Sequence, residues 1–299
     1  MNFFSASDYY KKIFGTKVYK ISLDAGCTCP TRDGTKGSGG CIFCSQSGSG
    51  DFTADRNLPV SQQIEKARAL VDRKLKGRVN SGGKYIAYFQ NFTNTYGDAS
   101  SLEQKYLEAL ACPDIAGLAV ATRPDCLEDE ILEKIAAIAE NHYVSIELGF
   151  QTGNEKTAAF IRRGYANHVL AEAVQRIHKA NRNIHVVCHI IFGLPGDSRQ
   201  DMLESVRFCL NSGTDGLKFT VLHVLEGTDL AVLWRQGKVK TLSMQEYFSI
   251  LAQALAEIPE NIVVHRLTGD GPKKLLLAPL WTADKKKVLN SLLKFLKEC

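Results

Sequence analysis

The stretch that decides the fold is residues 24–52, DAGCTCPTRDGTKGSGGCIFCSQSGSGDF, which follows directly on an apolar run ending at Leu23. Four of the nine cysteines (27, 29, 41 and 44) fall within these residues, and Cys41 and Cys44 form a CxxC pair. Eleven residues, four of them glycines, separate Cys29 from Cys41. Glycine lets the backbone turn so that several thiolates converge without clashing Cβ atoms. The loop therefore indicates a metal site at the end of a first β-strand.

Three kinds of site fit these cysteines. They are incidental thiols, a structural zinc site using all four, or an iron–sulfur cluster. Zinc ribbons usually pair two CxxC units, for which the CxC of residues 27–29 is a poor substitute. A cluster held by three thiolates leaves one iron open to a substrate or cofactor. The spacing favours the cluster, and the other cysteines form no CxxC pair, which argues against a second one.

Length and composition exclude several classes of protein. The chain has 299 residues, 44% of them hydrophobic and 23% charged, which is typical of one larger soluble α/β domain. No apolar run approaches the ~18 residues that a membrane span needs. The first residues, MNFFSASDYYKK, lack the order of a signal peptide. We therefore expect a cytoplasmic protein that does not interact with membranes.

The net charge is concentrated at one end of the chain. Residues 271–299 hold seven lysines and two acidic residues, and this segment accounts for the whole formal charge of +5. One interpretation is a solvated amphipathic helix whose apolar stripe includes Val288, Leu292 and Leu296. The other is a surface that faces phosphates, because clustered lysines attract polyanions.

Short apolar runs alternate with helical patterns along the chain. The predicted strands cover residues 17–23, 85–90, 117–121, 143–148, 184–192 and 216–222. The predicted helices cover residues 61–76, 101–111, 127–140, 168–180, 198–212 and 243–257, and serines at 61, 101, 198 and 243 stand where N-caps are expected. Such β/α alternation implies an α/β fold with a parallel sheet, either a barrel or a doubly wound sheet. In both, function gathers at the carboxyl ends of the strands.

The cysteine loop resembles that of radical SAM proteins, whose last two cluster cysteines flank an aromatic residue, here Phe43. Its CP-x10-CxxC spacing is similar to that of the MnmL (YtqA-like) and YhcC-like family, with the catalytic subunit of Elongator a more distant relative. Further blocks extend the resemblance over most of the chain, in the order GSGDF, YFQNFTNTY, ATRPDCL, ELGFQTGNEKT, RRGY, HIIFGLPGD, KFTVLHVLEGTDL and HRLTGDGPKKLLLAPLW. The resemblance implies a partial (β/α)6 TIM-like barrel. We expect an N-terminal extension (1–15), a core barrel (16–258) and a basic C-terminal helical extension (259–299) that packs on the barrel.

The resemblance also implies two cofactors, a [4Fe-4S] cluster and S-adenosyl-L-methionine. The cluster ligands would be Cys29, Cys41 and Cys44, although Cys27 could replace Cys29. Contacts to S-adenosylmethionine are expected from residues at the strand ends, namely Gln90, Asn91, Thr93, Asn94, Glu147, Gln151, Arg163, Gly193, Gly196, His223 and Val224. Structural explanations stay open for several of them, since Asn and Thr form turns and a buried carboxylate needs partners. Asp197 could also cap the helix that follows it.

The function implied by the resemblance is tRNA modification by a radical SAM enzyme. MnmL proteins convert the 5-carboxymethylaminomethyl group of the wobble uridine to 5-aminomethyl, through a 5′-deoxyadenosyl radical. The expected partners are tRNA and an electron donor such as flavodoxin or ferredoxin, and the sequence identifies no catalytic residue. Two alternatives remain: a radical SAM enzyme acting on a small metabolite or protein, and a non-catalytic zinc-containing RNA-binding protein.

Overall fold

The computed structural model describes residues 3–48, 50, 53–75 and 84–298, and for residues 73–75 it describes the backbone alone. Part of the GSGDF block and the predicted helix end at residue 76 lie outside the described residues. The strands are β1 (Val18–Leu23), β2 (Lys84–Phe89), β3 (Ile115–Thr122), β4 (Tyr143–Gln151), β5 (His185–Phe192), β6 (Gly216–Val221), β7 (Val224–Leu225), β8 (Val263–Arg266) and β9 (Leu276–Ala278). The helices are α1 (Ala6–Phe14), α2 (Val60–Leu75), α3 (Ala99–Ala111), α4 (Asp129–Ile138), α5 (Glu155–Phe160), α6 (His168–Ala180), α7 (Arg199–Asn211), α8 (Asp229–Arg235), α9 (Met244–Ala256) and α10 (Lys285–Glu298).

One parallel sheet organises the described chain, with the strand order β1-β2-β3-β4-β5-β6-β8. Flat sheets space neighbouring strands by about 4.8 Å, which would put β2 and β6 roughly 19 Å apart. Yet the Tyr88 hydroxyl of β2 lies 2.9 Å from the Lys218 Nζ of β6. The sheet is therefore curled into a partial barrel with a lumen. The sequential strand order excludes the doubly wound alternative, whose order reverses.

The two faces of the sheet have different compositions. Alternate residues of each strand, such as Ile21, Val120 and Phe219, point toward the helices and are buried in the main apolar core. The opposite positions face the lumen. There Lys20 of β1 pairs in register with Ile86 of β2, and Lys218 of β6 pairs with His189 of β5. The helices therefore cover the outside of the barrel and leave its interior partly polar.

Helix α1 closes the amino-terminal end of the lumen. The Tyr9 ring stacks on His185 at 4.5 Å, and its hydroxyl lies 3.0 Å from the His185 Nδ1. His185 Nε2 is in turn 2.8 Å from His265 Nε2 of β8. Because His185 is the first residue of β5, this packing seals the bottom of the barrel and leaves the carboxyl ends of the strands open.

Most predicted elements are present within a few residues of their expected bounds. Ser198 and Ser243 are N-caps with full capping boxes. The expectation for Ser101 was wrong, because Asp98 caps α3 and accepts from the Ser101 N–H at 2.8 Å. Ser61 likewise lies inside α2, which begins at Val60.

The C-terminal segment contributes to the barrel as well as packing on it. Strand β8 (Val263–Arg266) pairs with β6 and forms the edge of the main sheet. Helix α10 buries Val288, Leu292 and Leu296, the stripe expected from the sequence. Among the described residues, no helix is both long and apolar enough to cross a membrane.

Candidate active site

The cysteine loop lies at the open end of the barrel, immediately after β1. Cys29, Cys41 and Cys44 are partly exposed, whereas Cys27 is buried in the apolar core. The Cys29 Sγ lies 3.2 Å from the Thr31 Oγ1, and the Cys41 thiol faces the Arg162 carbonyl at 3.7 Å. The three exposed thiols are those that the resemblance proposes as ligands, and their assignment stays a prediction.

Arginine side chains hold and surround this loop. Arg32 donates to the carbonyls of Cys44 and Ser45 at 3.2 and 2.5 Å, and its guanidinium lies 5.3 Å from the Phe92 ring centre. Arg32 also carries positive charge beside the thiols, as does Arg123. Two cations here would favour a thiolate-bound cluster, which is negatively charged.

The thiol chemistry fits a metal cluster. Although Cys41 is partly exposed as a residue, desolvation of its thiol by the surrounding protein, together with Cys44, raises its pKa to about 12. Without a metal the thiol is therefore neutral, while a bound metal removes the proton and supplies the compensating charge. No three or more His, Cys, Asp or Glu side chains of the described ranges are grouped tightly enough to hold a single metal ion. A four-iron cluster bound by three thiolates distributes its ligands over three irons, so it requires no such tight grouping.

The polar residues after β2 anchor this loop. Asn91 donates to the Asp24 carboxylate at 2.7 Å and to the Thr53 hydroxyl at 2.8 Å. Asn94 donates to the carbonyls of Phe89 and Ala121 at the ends of β2 and β3. Both asparagine side chains are therefore used to hold the local backbone and loop, which is a structural role. A role of Asn91 or Asn94 in cofactor binding stays a prediction.

Gln90 and Thr93 complete the polar residues that follow β2. The Ser22 hydroxyl donates to the Gln90 Oε1 at 2.8 Å. The buried Thr93 hydroxyl has no hydrogen-bond partner among the described residues. An orphaned hydroxyl beside the cysteine loop fits a missing ligand, because most buried polar groups are paired.

Glu147 lies deep in the lumen rather than at its rim. Its Oε1 accepts from Lys20, and its Oε2 accepts from Tyr88 at 2.8 Å, His189 at 2.6 Å and Lys218 at 2.7 Å. Burial opposes the charge, but Lys20 and Lys218 hold the pKa of Glu147 well below its usual range. These four donors supply the hydrogen bonds that a buried carboxylate requires. A contact between Glu147 and the ribose of S-adenosylmethionine stays a prediction.

Arg163 is occupied by its own segment of the chain. It is almost fully buried and donates to the carbonyls of Tyr165, Phe150 and Thr152 at 3.0, 3.3 and 2.6 Å. Its Nη2 donates to the Glu155 carboxylate at 3.2 Å and to the Asn167 Oδ1 at 2.8 Å. The structure therefore does not pair Arg163 with Glu147, and a contact of Arg163 with S-adenosylmethionine stays a prediction.

Glycines and strained residues shape the mouth of the barrel. Gly193 and Gly196 have φ values of +87° and +99°, which side chains disfavour. Phe92, Gln151 and Arg162 adopt positive φ without being glycine, at +56°, +68° and +59°. Such strain clusters at functional sites when the surrounding structure enforces it.

The GLPGD block and the end of β6 form another part of the mouth. Burial raises the pKa of Asp197 to about 6. The expectation that Asp197 caps α7 was wrong, because Ser198 and Asp201 form that cap. His223 is partly buried, and its Nε2 has no hydrogen-bond partner in the part of the chain that the structure describes. Val224 lies in β7, which pairs with β9.

The lumen residues Lys20, His189 and Lys218 were missed by the sequence analysis. Each stands between apolar neighbours within a strand, in VYKISL, HVVCHIIF and GLKFTV. A polar residue at a lumen-facing position of a buried strand is the signal that would have identified them.

Comparisons with known proteins agree with this geometry. A family model described as the Radical SAM superfamily matches residues 34–209, and one described as the Radical_SAM C-terminal domain matches 214–298. The chain is 39% identical to YtqA of Bacillus subtilis, a match that spans 97% of this chain and 88% of YtqA. It is 32% identical to YhcC of Escherichia coli, over 95% of this chain and 89% of YhcC.

The chain is also similar, more distantly, to a tRNA-modifying enzyme and to an archaeal Elp3 structure. The chain is 28% identical to the tRNA uridine(34) acetyltransferase of Methanocaldococcus jannaschii, over 60% of this chain and 33% of that enzyme. Among solved structures, the archaeal Elp3 of Methanocaldococcus infernus superposes with a TM-score of 0.68 and 17% identity, covering 94% of this chain and 63% of Elp3. This likeness shows a common fold.

Proposed function

Because the chain belongs to the radical SAM superfamily and is an enzyme of that kind, we propose that it modifies the C5 side chain of the wobble uridine in tRNA. The proposed change converts a 5-carboxymethylaminomethyl group to 5-aminomethyl. The observation that carries the proposal is the set of three partly exposed thiols beside Arg32 and Arg123, at the open end of a barrel whose more distant relatives include a tRNA uridine(34) acetyltransferase.

Cys29, Cys41 and Cys44 would hold the [4Fe-4S] cluster. Gln90, Thr93, Gln151 and the backbone around Gly193 are the proposed contacts for S-adenosylmethionine. When bound, the cluster supplies an electron that cleaves S-adenosylmethionine to a radical able to abstract hydrogen from the substrate. The chain's own contribution is placement, because the site lies at the open end of a barrel whose far end α1 closes.

A basic surface supports a nucleic-acid substrate. The lysines of residues 271–299 are all exposed, and α10 presents most of them on its outer side. Lys285 also pairs with Asp270 at 2.7 Å, which links this surface to the loop after β8. Phosphate contacts from such lysines would give binding that weakens steeply with salt. An electron donor such as flavodoxin or ferredoxin is part of the same proposal.

The first test is formation of 5′-deoxyadenosine by anaerobically reconstituted protein given S-adenosylmethionine and dithionite, with and without bulk bacterial tRNA. Strong stimulation by tRNA, with 5-aminomethyluridine found by mass analysis of its nucleosides, supports the proposal. If 5′-deoxyadenosine forms at the same rate with and without tRNA, the protein is still a radical SAM enzyme, but its substrate is a small metabolite or a protein. Zinc in place of iron, with no product, would leave an RNA-binding protein.

A second test separates the basic surface from the barrel. Lys285→Glu with Lys286→Glu should weaken tRNA binding at least tenfold and reduce the slope of log affinity against log salt by about 2. The matched control is Lys11→Glu with Lys12→Glu, on exposed positions of α1 at the closed end of the barrel. Equal effects of the two pairs would mean that the α10 surface is not where tRNA binds.

A further inference from the structure

Among the residues that the structure describes, the lumen contains more positive charge than Glu147 can balance. Lys20, Lys218 and Arg266 carry three positive charges, and Glu147 carries one negative charge. We name these four residues the lumen cluster. The neighbouring groups are neutral at pH 7, because burial lowers the histidine pKa values around the cluster and raises that of Tyr88.

Glu147 has no capacity left for a third cation. Its two oxygens already accept from Lys20, Lys218, Tyr88 and His189. The Lys218 side chain is only 12% exposed, and burial lowers its pKa to about 8, with Glu147 opposing the shift. One negative charge therefore balances two lysines, and no carboxylate of the described residues forms an ion pair with Arg266.

Arg266 reaches the lumen because the strand β8 is irregular. The register with β6 shifts so that Leu217 opposes Val264 while Lys218 opposes Arg266. The shift passes over residue 265, and this bulge turns Arg266 inward beside Lys218. Its Nη2 donates to the Thr220 hydroxyl at 3.3 Å.

Several polar atoms around Arg266 are buried and unpaired. Among the described residues, the Arg266 Nε, the His223 Nε2, the Thr268 hydroxyl and the Asp270 Oδ1 have no hydrogen-bond partner. A Cβ added at Gly269 would lie 2.6 Å from an Arg266 nitrogen, 2.6 Å from the Thr220 methyl and 3.0 Å from the His223 ring. The three side chains therefore converge on one glycine at the carboxyl ends of β6 and β8. The Arg266 Nε can only donate, and leaving a buried charged donor unpaired is costly, so its state indicates a missing acceptor.

We propose that Arg266, with Lys218 and His223, binds the carboxylate of the substrate's C5 side chain. The inference rests on the proposed function, because a 5-carboxymethylaminomethyl group ends in a carboxylate and its product does not. A guanidinium matches a carboxylate in shape and charge, and its buried Nε and Nη donors can be used together. The HRLTGD block thus contributes a substrate-binding residue at the open side of the barrel.

The test compares binding of anticodon hairpins that differ only at the wobble uridine C5. One carries carboxymethylaminomethyl and the other carries aminomethyl, and fluorescence anisotropy measures both affinities. We expect the protein to prefer the carboxylate hairpin by about tenfold or more, because only that hairpin can accept hydrogen bonds from the buried guanidinium. Arg266→Gln should remove the preference, Arg266→Lys should keep part of it, and Arg199→Gln on the outer surface should leave it unchanged. An unchanged preference in Arg266→Gln would overturn the proposal.

The carboxylate of S-adenosylmethionine is a second source of the same chemistry. Binding of S-adenosylmethionine to the reconstituted protein is therefore measured by equilibrium dialysis for the same variants. Affinity that stays within about twofold in Arg266→Gln supports the substrate assignment. A tenfold loss of cofactor affinity with the hairpin preference intact assigns Arg266 to the cofactor and contradicts the proposal.

A small probe separates failure of this inference from failure of the proposed function. N-Benzylglycine imitates the ring, amine and carboxylate of the side chain, and benzylamine is its control without a carboxylate. If neither hairpin binds, the proposed tRNA function is wrong. In that case, thermal stabilisation by N-benzylglycine that is lost in Arg266→Gln would still support a carboxylate-binding pocket at Arg266. Equal responses of the two proteins to N-benzylglycine would reject the pocket itself.

Discussion

Glu147 is the residue whose neutralisation should destabilise the barrel most directly. Glu147→Gln keeps the size of the side chain and removes the negative charge shared by Lys20 and Lys218. Loss of one partner of a buried pair costs about 3–5 kcal/mol. Because the lysine side chains are 21% and 12% exposed to lumen water, we expect the lower end, about 3 kcal/mol.

This loss corresponds to a measurable shift of the unfolding midpoint. At about 2.1 cal/mol/K per residue, a chain of this length unfolds with an entropy of roughly 0.6 kcal/mol/K. Glu147→Gln should therefore lower the midpoint by about 5 °C in calorimetry at pH 7. The pH lies above the ordinary carboxyl pKa, so Glu147 is ionised in both states and its contribution is fully present.

Two further variants make the reasoning refutable. Glu257→Gln removes a surface ion pair with Arg207 and should cost less than about 1 kcal/mol. Glu147→Gln with Lys218→Met removes an uncompensated ammonium as well, so the double variant should be more stable than Glu147→Gln alone. If Glu147→Gln costs no more than Glu257→Gln, or the double variant is the less stable, the charge argument for the lumen cluster is wrong.

The remaining predictions concern the cysteine loop, the GLPGD block and α1. Cys29→Ser should abolish iron binding after reconstitution, whereas Cys27→Ser, in the apolar core, should retain iron, and the reverse result would exchange the two assignments. Burial raises the pKa of Asp197 to about 6, so its contribution to stability is present below pH 4 and lost as pH rises through 6. Asp197→Asn should therefore gain stability relative to the unchanged protein between pH 4 and 7, and a flat difference in calorimetry would contradict the burial argument. Tyr9→Phe should cost about 1 kcal/mol in denaturant unfolding through its bond to His185, and no loss would show that stacking alone holds α1.

Much of the fold was determined by local sequence pattern. The apolar runs of 184–192 and 216–222 predicted β5 and β6, and Ser198 and Ser243 predicted the starts of α7 and α9. These signals depend on neighbours within a few residues, which is why they can be read from the sequence. The clustered cysteines are also neighbours in sequence, and so they were found as a group.

The strand at the barrel edge could not be located in this way. The segment Val263–Arg266 has four residues and shares apolar character with many turns and helix ends. Its place beside β6 depends on pairing with a strand more than forty residues earlier. The bulge that turns Arg266 inward depends on that pairing, so no local sequence pattern predicts it.

The sequence alone therefore determined the alternation of strands and helices, the cysteine loop and the basic C-terminal segment, since each arises from residues close together in the chain. Only the tertiary structure decided the lumen cluster. Lys20, Glu147 and Lys218 belong to β1, β4 and β6, and they meet because the sheet curls. Burying charges is favourable only when they meet, and curling of the sheet is a property of the whole fold rather than of any one strand.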